Sequence, residues 1–207
     1  MTFVHECRRK SLHFCGLFVI VFYELLDRSG DHSRLYMIGI LSSILFLFLF
    51  ADFFRIREVF PEEQMKAIRK FHRKYEERSL SATTYFTIAA LFCVIVFEKV
   101  VVFASILVGI LADAAAALVG KGVGKNKIFN KKTLEGTSTF FLVSIACLFV
   151  YFQQIEIIAV ALILSLVELF AYKLNDNLAL PVICAFLLVT FSLGTFYGGK
   201  TLKTLVS

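Results

Sequence analysis

Residues 83–119 read TTYFTIAALFCVIVFEKVVVFASILVGILADAAAALV. Two apolar runs, 83–97 and 100–119, are separated only by Glu98 and Lys99. Neither run alternates polar with apolar residues, so neither suits a half-buried strand. In lipid, backbone groups must be satisfied within the segment, and continuous apolar runs do that as helices. The spacing therefore predicts two helices joined by a tight hairpin at Glu98–Lys99. The second helix carries one acid, Asp113, flanked by Ala112 and by Ala114 to Ala117. An acid at the centre of a membrane helix costs roughly 2.5–3.5 kcal/mol on insertion scales, and less near the interface. Such acids serve an ion, a proton or a substrate, or simply reach water at the membrane surface. Small neighbours let another helix approach closely, which places Asp113 at a helix interface.

The rest of the chain repeats this character. Its 207 residues are 58% hydrophobic, with 24 Phe, 2 Pro and no Trp, and a mean hydropathy of +0.79. A bilayer core about 30 Å thick takes about 20 apolar helical residues. Apolar runs at 12–26, 35–53, 83–97, 100–119, 138–153, 155–173 and 178–199 predict an all-α, polytopic integral membrane protein of about seven transmembrane helices. An outer-membrane barrel is excluded by the lack of alternation. Residues 1–207 read as one membrane domain, without repeats or low-complexity linkers. The first run has a basic start like a signal peptide. It lacks a small-residue cleavage site, and a retained anchor is expected.

Lys and Arg set the orientation. With a cytoplasmic N-terminus, 17 of the 22 basic residues fall in inside segments. The polar loops 54–82 and 120–137 then face the cytoplasm. In the first loop, Met65, Ile68 and Tyr75 recur at helical spacing among lysines and arginines, as in an interfacial amphipathic helix. The five cysteines form no CxxC pair and read as packing residues. The net charge of +6 lies in the inside loops, where it meets lipid heads or phosphates and gives no argument for nucleic acid.

Every polar cluster lies on that inside face. Residues 120–125, GKGVGK, combine Gly120, Gly122 and Gly124 with Lys121 and Lys125, and Lys127 follows. Successive amides in such a turn can form an anion-binding nest, or the stretch can be an ordinary positive-inside loop. It is not a Walker A motif, because Asn126 follows Lys125. Residues 131–136, KKTLEG, offer Lys131 and Lys132 for phosphate, Thr133 as donor or helix cap, and Glu135 for a metal or a lysine. Glu168 lies near the end of a run, before Asn175, Asp176 and Asn177. Oxygen ligands of this kind suit Mg²⁺, which usually takes one or two carboxylates plus substrate phosphates. They also suit helix capping. Arg9 with His13, and Asp52 with Arg55, stand at two further inside mouths, where interfacial anchoring is the plainer reading.

Together these residues resemble the CTP-dependent lipid kinases of the dolichol kinase, phytol kinase and yeast-type diacylglycerol kinase group, relatives of the phosphatidate cytidylyltransferases. The resemblance rests on ADAAAALVGKGVGKNKIFNKKTLEGT at 112–137. There the family pattern falls on Asp113, Ala117, Gly120, Gly124, Lys127, Lys132, Leu134, Glu135 and Gly136. RRKSLH, ending at His13, resembles the family's opening motif, and NDNLALP at 175–181 its late one, with Glu168 upstream. Ala112 replaces the usual Gly, and Thr133 and Thr137 replace Ser, which keeps both hydroxyls. Nothing after Leu178 resembles the cytidylyltransferase signature with its His-Gly-Gly and Asp-Arg.

The resemblance implies CTP as phosphoryl donor, a membrane lipid alcohol as acceptor and Mg²⁺ as cofactor, at the inner face of a bacterial cytoplasmic or ER-type membrane. Gly120, Gly124, Lys125, Lys127 and Gly136 would cradle the phosphates, and Lys132 would neutralise the transferring group. Asp113 and Asp176 would hold Mg²⁺, and Glu135 would complete the metal shell or hold Lys132. Glu168 or His13 would accept the hydroxyl proton. The alternatives are nucleotidyl transfer making a CDP-lipid, and a transporter or non-catalytic scaffold. Transporters place binding groups near the midplane, whereas these groups crowd one face.

Overall fold

The computed structural model describes residues 10, 14–30, 32–59, 79–129, 132–170 and 175–191. The described chain is mostly helical. A 3₁₀ turn, Phe14–Gly16, leads into α1, Leu17–Ser29, followed by α2, Ser33–Ile56, and α3, Ala82–Val96. Next comes α4, a continuous helix over Lys99–Gly122. Then follow α5, Leu134–Phe149, α6, Glu156–Phe170, and α7, Asp176–Thr190. Each of the seven apolar runs corresponds to one of these helices. The predicted hairpin is present: α3 ends at Val96 and α4 begins at Lys99.

The α2 and α4 helices are each long and apolar enough to cross a membrane. They are used differently. The apolar window of α4 is 72% buried and that of α2 only 17%. Accordingly α4 is the central post, contacting α1, α3, α5 and α7. Phe97, Ile106, Phe140, Leu148, Leu164, Leu180 and Leu188 fill the core around it. On the outside, Phe46, Leu47 and Phe50 of α2 and Ile158, Leu162, Leu166 and Phe170 of α6 stand exposed. The α6 set recurs every four residues, one stripe of a helix.

Two features depart from a plain helix bundle. Between α4 and α5 a short antiparallel ribbon forms, β1, Lys127–Phe129, against β2, Lys132–Thr133. The sequence pattern of continuous apolar runs gives no sign of strands, and these lie in the polar loop between two of those runs. The other departure lies inside α4, where Val108–Ala112 winds as a π-helix before α geometry resumes at Asp113. Gly109, in that turn, meets Pro181 inside α7; a Cβ on Gly109 would stand 2.8 Å from the proline Cγ. The wide turn and the ring thus fit together where α4 crosses α7.

Ion pairs staple both ends of the bundle. At one end Lys99 bridges Glu24 and Asp27 of α1, and the Arg34 guanidinium donates to the Phe97 carbonyl at 2.7 Å. At the other end buried Asp52 accepts from Arg55, from the Ser81 amide at 2.8 Å and from the Thr84 hydroxyl at 2.6 Å. Asp52 and Arg55 therefore clamp the end of α2 to the start of α3 across the long loop. The expected interfacial helix in that loop lies outside the described residues.

Candidate functional site

The second staple of that end is richer. Lys10, 2% exposed, forms an ion pair with Asp113, itself 6% exposed. The π turn ends immediately before Asp113, and such turns recur at functional sites. Lys132, from β2, pairs with Glu168 near the end of α6, and Asp176 at the start of α7 stands 4.0 Å from the same ammonium. Asp113 is close enough to act electrostatically on Lys132 as well. Four of the residues singled out in the sequence, Asp113, Lys132, Glu168 and Asp176, thus converge from α4, β2, α6 and α7. Burial alone would depress the Lys132 pKa, but the carboxylates of Asp176 and Glu168 outweigh it and hold the ammonium above its ordinary value.

Glu168 is the unusual member. It is 4% exposed, Oε1 accepts from Lys132, and Oε2 is buried with no hydrogen-bond partner among the described residues. A buried carboxylate oxygen left unpaired is costly. Native structures keep such groups where a ligand, ion or catalytic role compensates.

Two helix N-termini open toward this cluster. Thr133 caps α5 by accepting from the Gly136 amide at 3.2 Å, and Asn175 caps α7 by accepting from the Asn177 amide at 3.1 Å. Helix N-termini carry partial positive charge and unpaired N–H groups, which suit phosphate.

The remaining expected residues sit elsewhere. The glycines do not form a nest of unusual backbone angles: Gly120 and Gly122 lie within α4, and among the described glycines only Gly30 has positive φ. Their smallness is used for close approach instead. A Cβ on Gly124 would stand 2.3 Å from the Gly120 carbonyl and 2.6 Å from Thr133 Oγ1, and one on Gly136 would stand 3.1 Å from the Ala116 carbonyl. Gly120, Gly124 and Gly136 thereby let α4 close on Thr133 and α5. Glu135 is half-buried and neither reaches Lys132 nor joins the acids; it accepts from the Asn126 amide at 3.2 Å and side chain at 3.0 Å, bracing the ribbon. Glu168 takes the place beside Lys132 that the sequence offered to Glu135. Lys125 and Lys127 are exposed on the connector. Arg9, His13 and Lys131 lie outside the described residues.

Among the described residues no three His, Cys, Asp or Glu side chains come close enough to form a metal-binding group. Lys132 stands between Glu168 and Asp176 instead. A metal here would take one or two of these carboxylates and draw its other ligands from phosphate oxygens, the usual manner of Mg²⁺. Lys10 carried no signal in the sequence beyond its charge; only the fold brings it to Asp113 across 103 positions.

No family model matches the chain, and no solved structure matches it. It is 34% identical over 119 residues to an uncharacterized protein of Methanocaldococcus jannaschii, covering 56% of this chain and 61% of the archaeal protein. It is 26% identical over 200 residues to an uncharacterized protein of Rickettsia prowazekii, covering 87% of this chain and 91% of that one.

Proposed function

We propose that this protein is a polytopic membrane enzyme of about seven spans that transfers the γ-phosphoryl group of CTP to a membrane lipid alcohol at the cytoplasmic face. The observation that carries the reading is Glu168: a buried carboxylate with one oxygen on Lys132 and the other unpartnered, in a cluster with Asp113 and Asp176. Phosphoryl transfer asks mainly for positioning and for stabilised charge, and these groups supply both. The lipid hydroxyl oxygen forms a bond to the γ-phosphorus. The bond to the β,γ-bridging oxygen breaks, and CDP leaves with the electron pair. Glu168 Oε2 accepts the hydroxyl proton. Lys132 neutralises charge on the transferring group, and the N-termini of α5 and α7 add positive potential. Mg²⁺, when bound, would screen the phosphate charges, held by Asp113 and Asp176 with phosphate oxygens. Lys125 and Lys127 would meet the nucleotide from the exposed connector.

The exposed apolar side chains of α2 and α6 support a lipid surround. The 15-residue helices α3, α6 and α7 are shorter than a full bilayer core. In this reading their ends are completed by the flanking turns. Charged groups stand at both ends of the bundle and the middle is apolar, which favours interfacial chemistry over transport through a midplane site.

Purified protein in lipid nanodiscs, given γ-labelled CTP, Mg²⁺ and a panel of lipid alcohols, should place label in a lipid. No labelled lipid with any alcohol overturns the reading. Label entering lipid from α-labelled CTP and phosphatidate would instead mean nucleotidyl transfer.

A further inference from the structure

The ribbon that carries Lys132 straddles the end of α6. Lys132 of β2 pairs with Glu168, and Phe129 of β1 packs edge-on against Phe170, ring centroids 5.4 Å apart. Residues two apart on an α-helix point about 200° away from each other. Glu168 is accordingly buried, whereas Phe170 ends the exposed stripe of Ile158, Leu162 and Leu166. Phe129 and Lys132 are register partners across the ribbon. One strand therefore reaches the ion cluster on the inner side of α6, and the other meets its outer, apolar side.

All three residues of β1 are exposed, although two of them are Ile128 and Phe129. Strand side chains alternate between faces, so β1 carries an apolar group on each face. Lys125 and Lys127 stand exposed beside them. Exposed apolar groups that continue a helix's exposed apolar stripe, with lysines alongside, fit one surround: the boundary between phospholipid headgroups and acyl chains. There the apolar side chains enter the chain region and the ammonium groups meet headgroup phosphates.

We propose that β1 seats in the headgroup layer of the membrane, with Ile128 and Phe129 as its apolar anchor, and that this seating holds Lys132 on Glu168. The ribbon thereby makes the ion cluster responsive to the lipid surface. The inference rests on the membrane-embedded part of the reading above and is independent of CTP transfer. The coupling follows from the register: Phe129 is held from outside by Phe170 and lipid, and its partner Lys132 is held from inside by Glu168.

The chain has no Trp, so one introduced Trp is a unique reporter. Full-length Ile128→Trp and Leu162→Trp proteins are placed, without nucleotide, in phosphatidylcholine nanodiscs whose acyl chains carry bromine at a shallow or a deep position. Ile128→Trp should emit in the blue and be quenched more by shallow bromine than by deep. Leu162→Trp, midway along the α6 stripe, should be quenched more by deep bromine. Adding phosphatidylglycerol should strengthen the shallow quenching, and an unchanged signal overturns the headgroup role of Lys125 and Lys127. Quenching of Leu162→Trp with water-like emission from Ile128→Trp overturns the seating alone; quenching of neither overturns the membrane reading itself. The coupling is read by acylation of Lys132 in the same nanodiscs. Ile128→Asp, which leaves Phe129 and Phe170 in place, should raise Lys132 labelling severalfold at an unaltered unfolding midpoint. Val150→Asp, an exposed apolar position beyond the far end of α5, should leave it unchanged. Equal Lys132 labelling in the Ile128→Asp and unsubstituted proteins overturns the coupling.

Discussion

Glu168 accepts a hydrogen bond from the Lys132 ammonium through Oε1 while Oε2, buried, has no hydrogen-bond partner among the described residues. If Oε2 takes the acceptor's proton, Glu168→Gln should remove general-base help worth roughly 10²–10⁴-fold in rate. The loss should appear in kcat, with the KM for CTP changing little. Steady-state kinetics on the purified variant measures both. A fall confined to KM would assign Glu168 to binding.

Lys10 and Asp113 form a buried pair across 103 positions. Removing one member of a buried ion pair typically costs about 3–5 kcal/mol. Lys10→Met should therefore lower the thermal unfolding midpoint sharply in detergent. The double variant Lys10→Met/Asp113→Leu should recover most of that stability, because two apolar groups replace both charges. It should not recover CTP transfer. Recovery of both would reduce the pair to a structural staple.

Lys132 has a folded pKa raised above its ordinary value, because the Asp176 and Glu168 carboxylates outweigh its burial. A raised lysine contributes stability that is full below its unfolded pKa of about 10.4 and lost as pH rises through the higher folded value. Activity should show no loss from this group between neutral pH and about pH 10. Amines react when neutral, so an amine-acylating reagent at mildly alkaline pH should modify exposed Lys125 and Lys127 well before Lys132. Peptide mapping reads the order, and early labelling of Lys132 would contradict the ion cluster.

Gly109 gives the positional test. Its π turn fits against Pro181, and a Cβ would stand 2.8 Å from the ring. Gly109→Ala should cost about 1–3 kcal/mol through overpacking. It should also lower transfer, since Asp113 follows Gly109 by four residues on α4 and Asp176 precedes Pro181 by five on α7. Retained stability and rate would show that the crossing does not position the acids.

The helices were legible because apolar runs report burial or lipid contact directly: each of the seven predicted runs matches one helix, and the Glu98–Lys99 hairpin falls where the charge pair interrupts the apolar pattern. Asp113 and Glu168 stood out as acids inside such runs, and Asp176 as the acid opening the last one. The partners were hidden. Lys10 looks like any positive-inside lysine, and its pairing with Asp113 is a long-range product of packing. For the glycines the sequence left a nest and an ordinary loop open, because composition shows that Gly is small and permissive but not which property is used; at Gly120, Gly124 and Gly136 the small size is used. Glu135 was offered to Lys132 by nearness in sequence, whereas the short ribbon turns it toward Asn126. The π turn leaves no trace in hydropathy, since it changes the winding and not the residue types.

The central claim is that the γ-phosphorus of CTP ends on a membrane alcohol. The most direct measurement is a single incubation with CTP carrying distinguishable α and γ labels, Mg²⁺ and an isoprenoid alcohol in nanodiscs, followed by extraction of the lipid. The lipid should carry γ label alone, and Asp113→Asn should abolish it. Alpha label in the lipid, or γ label only as free phosphate, would contradict it.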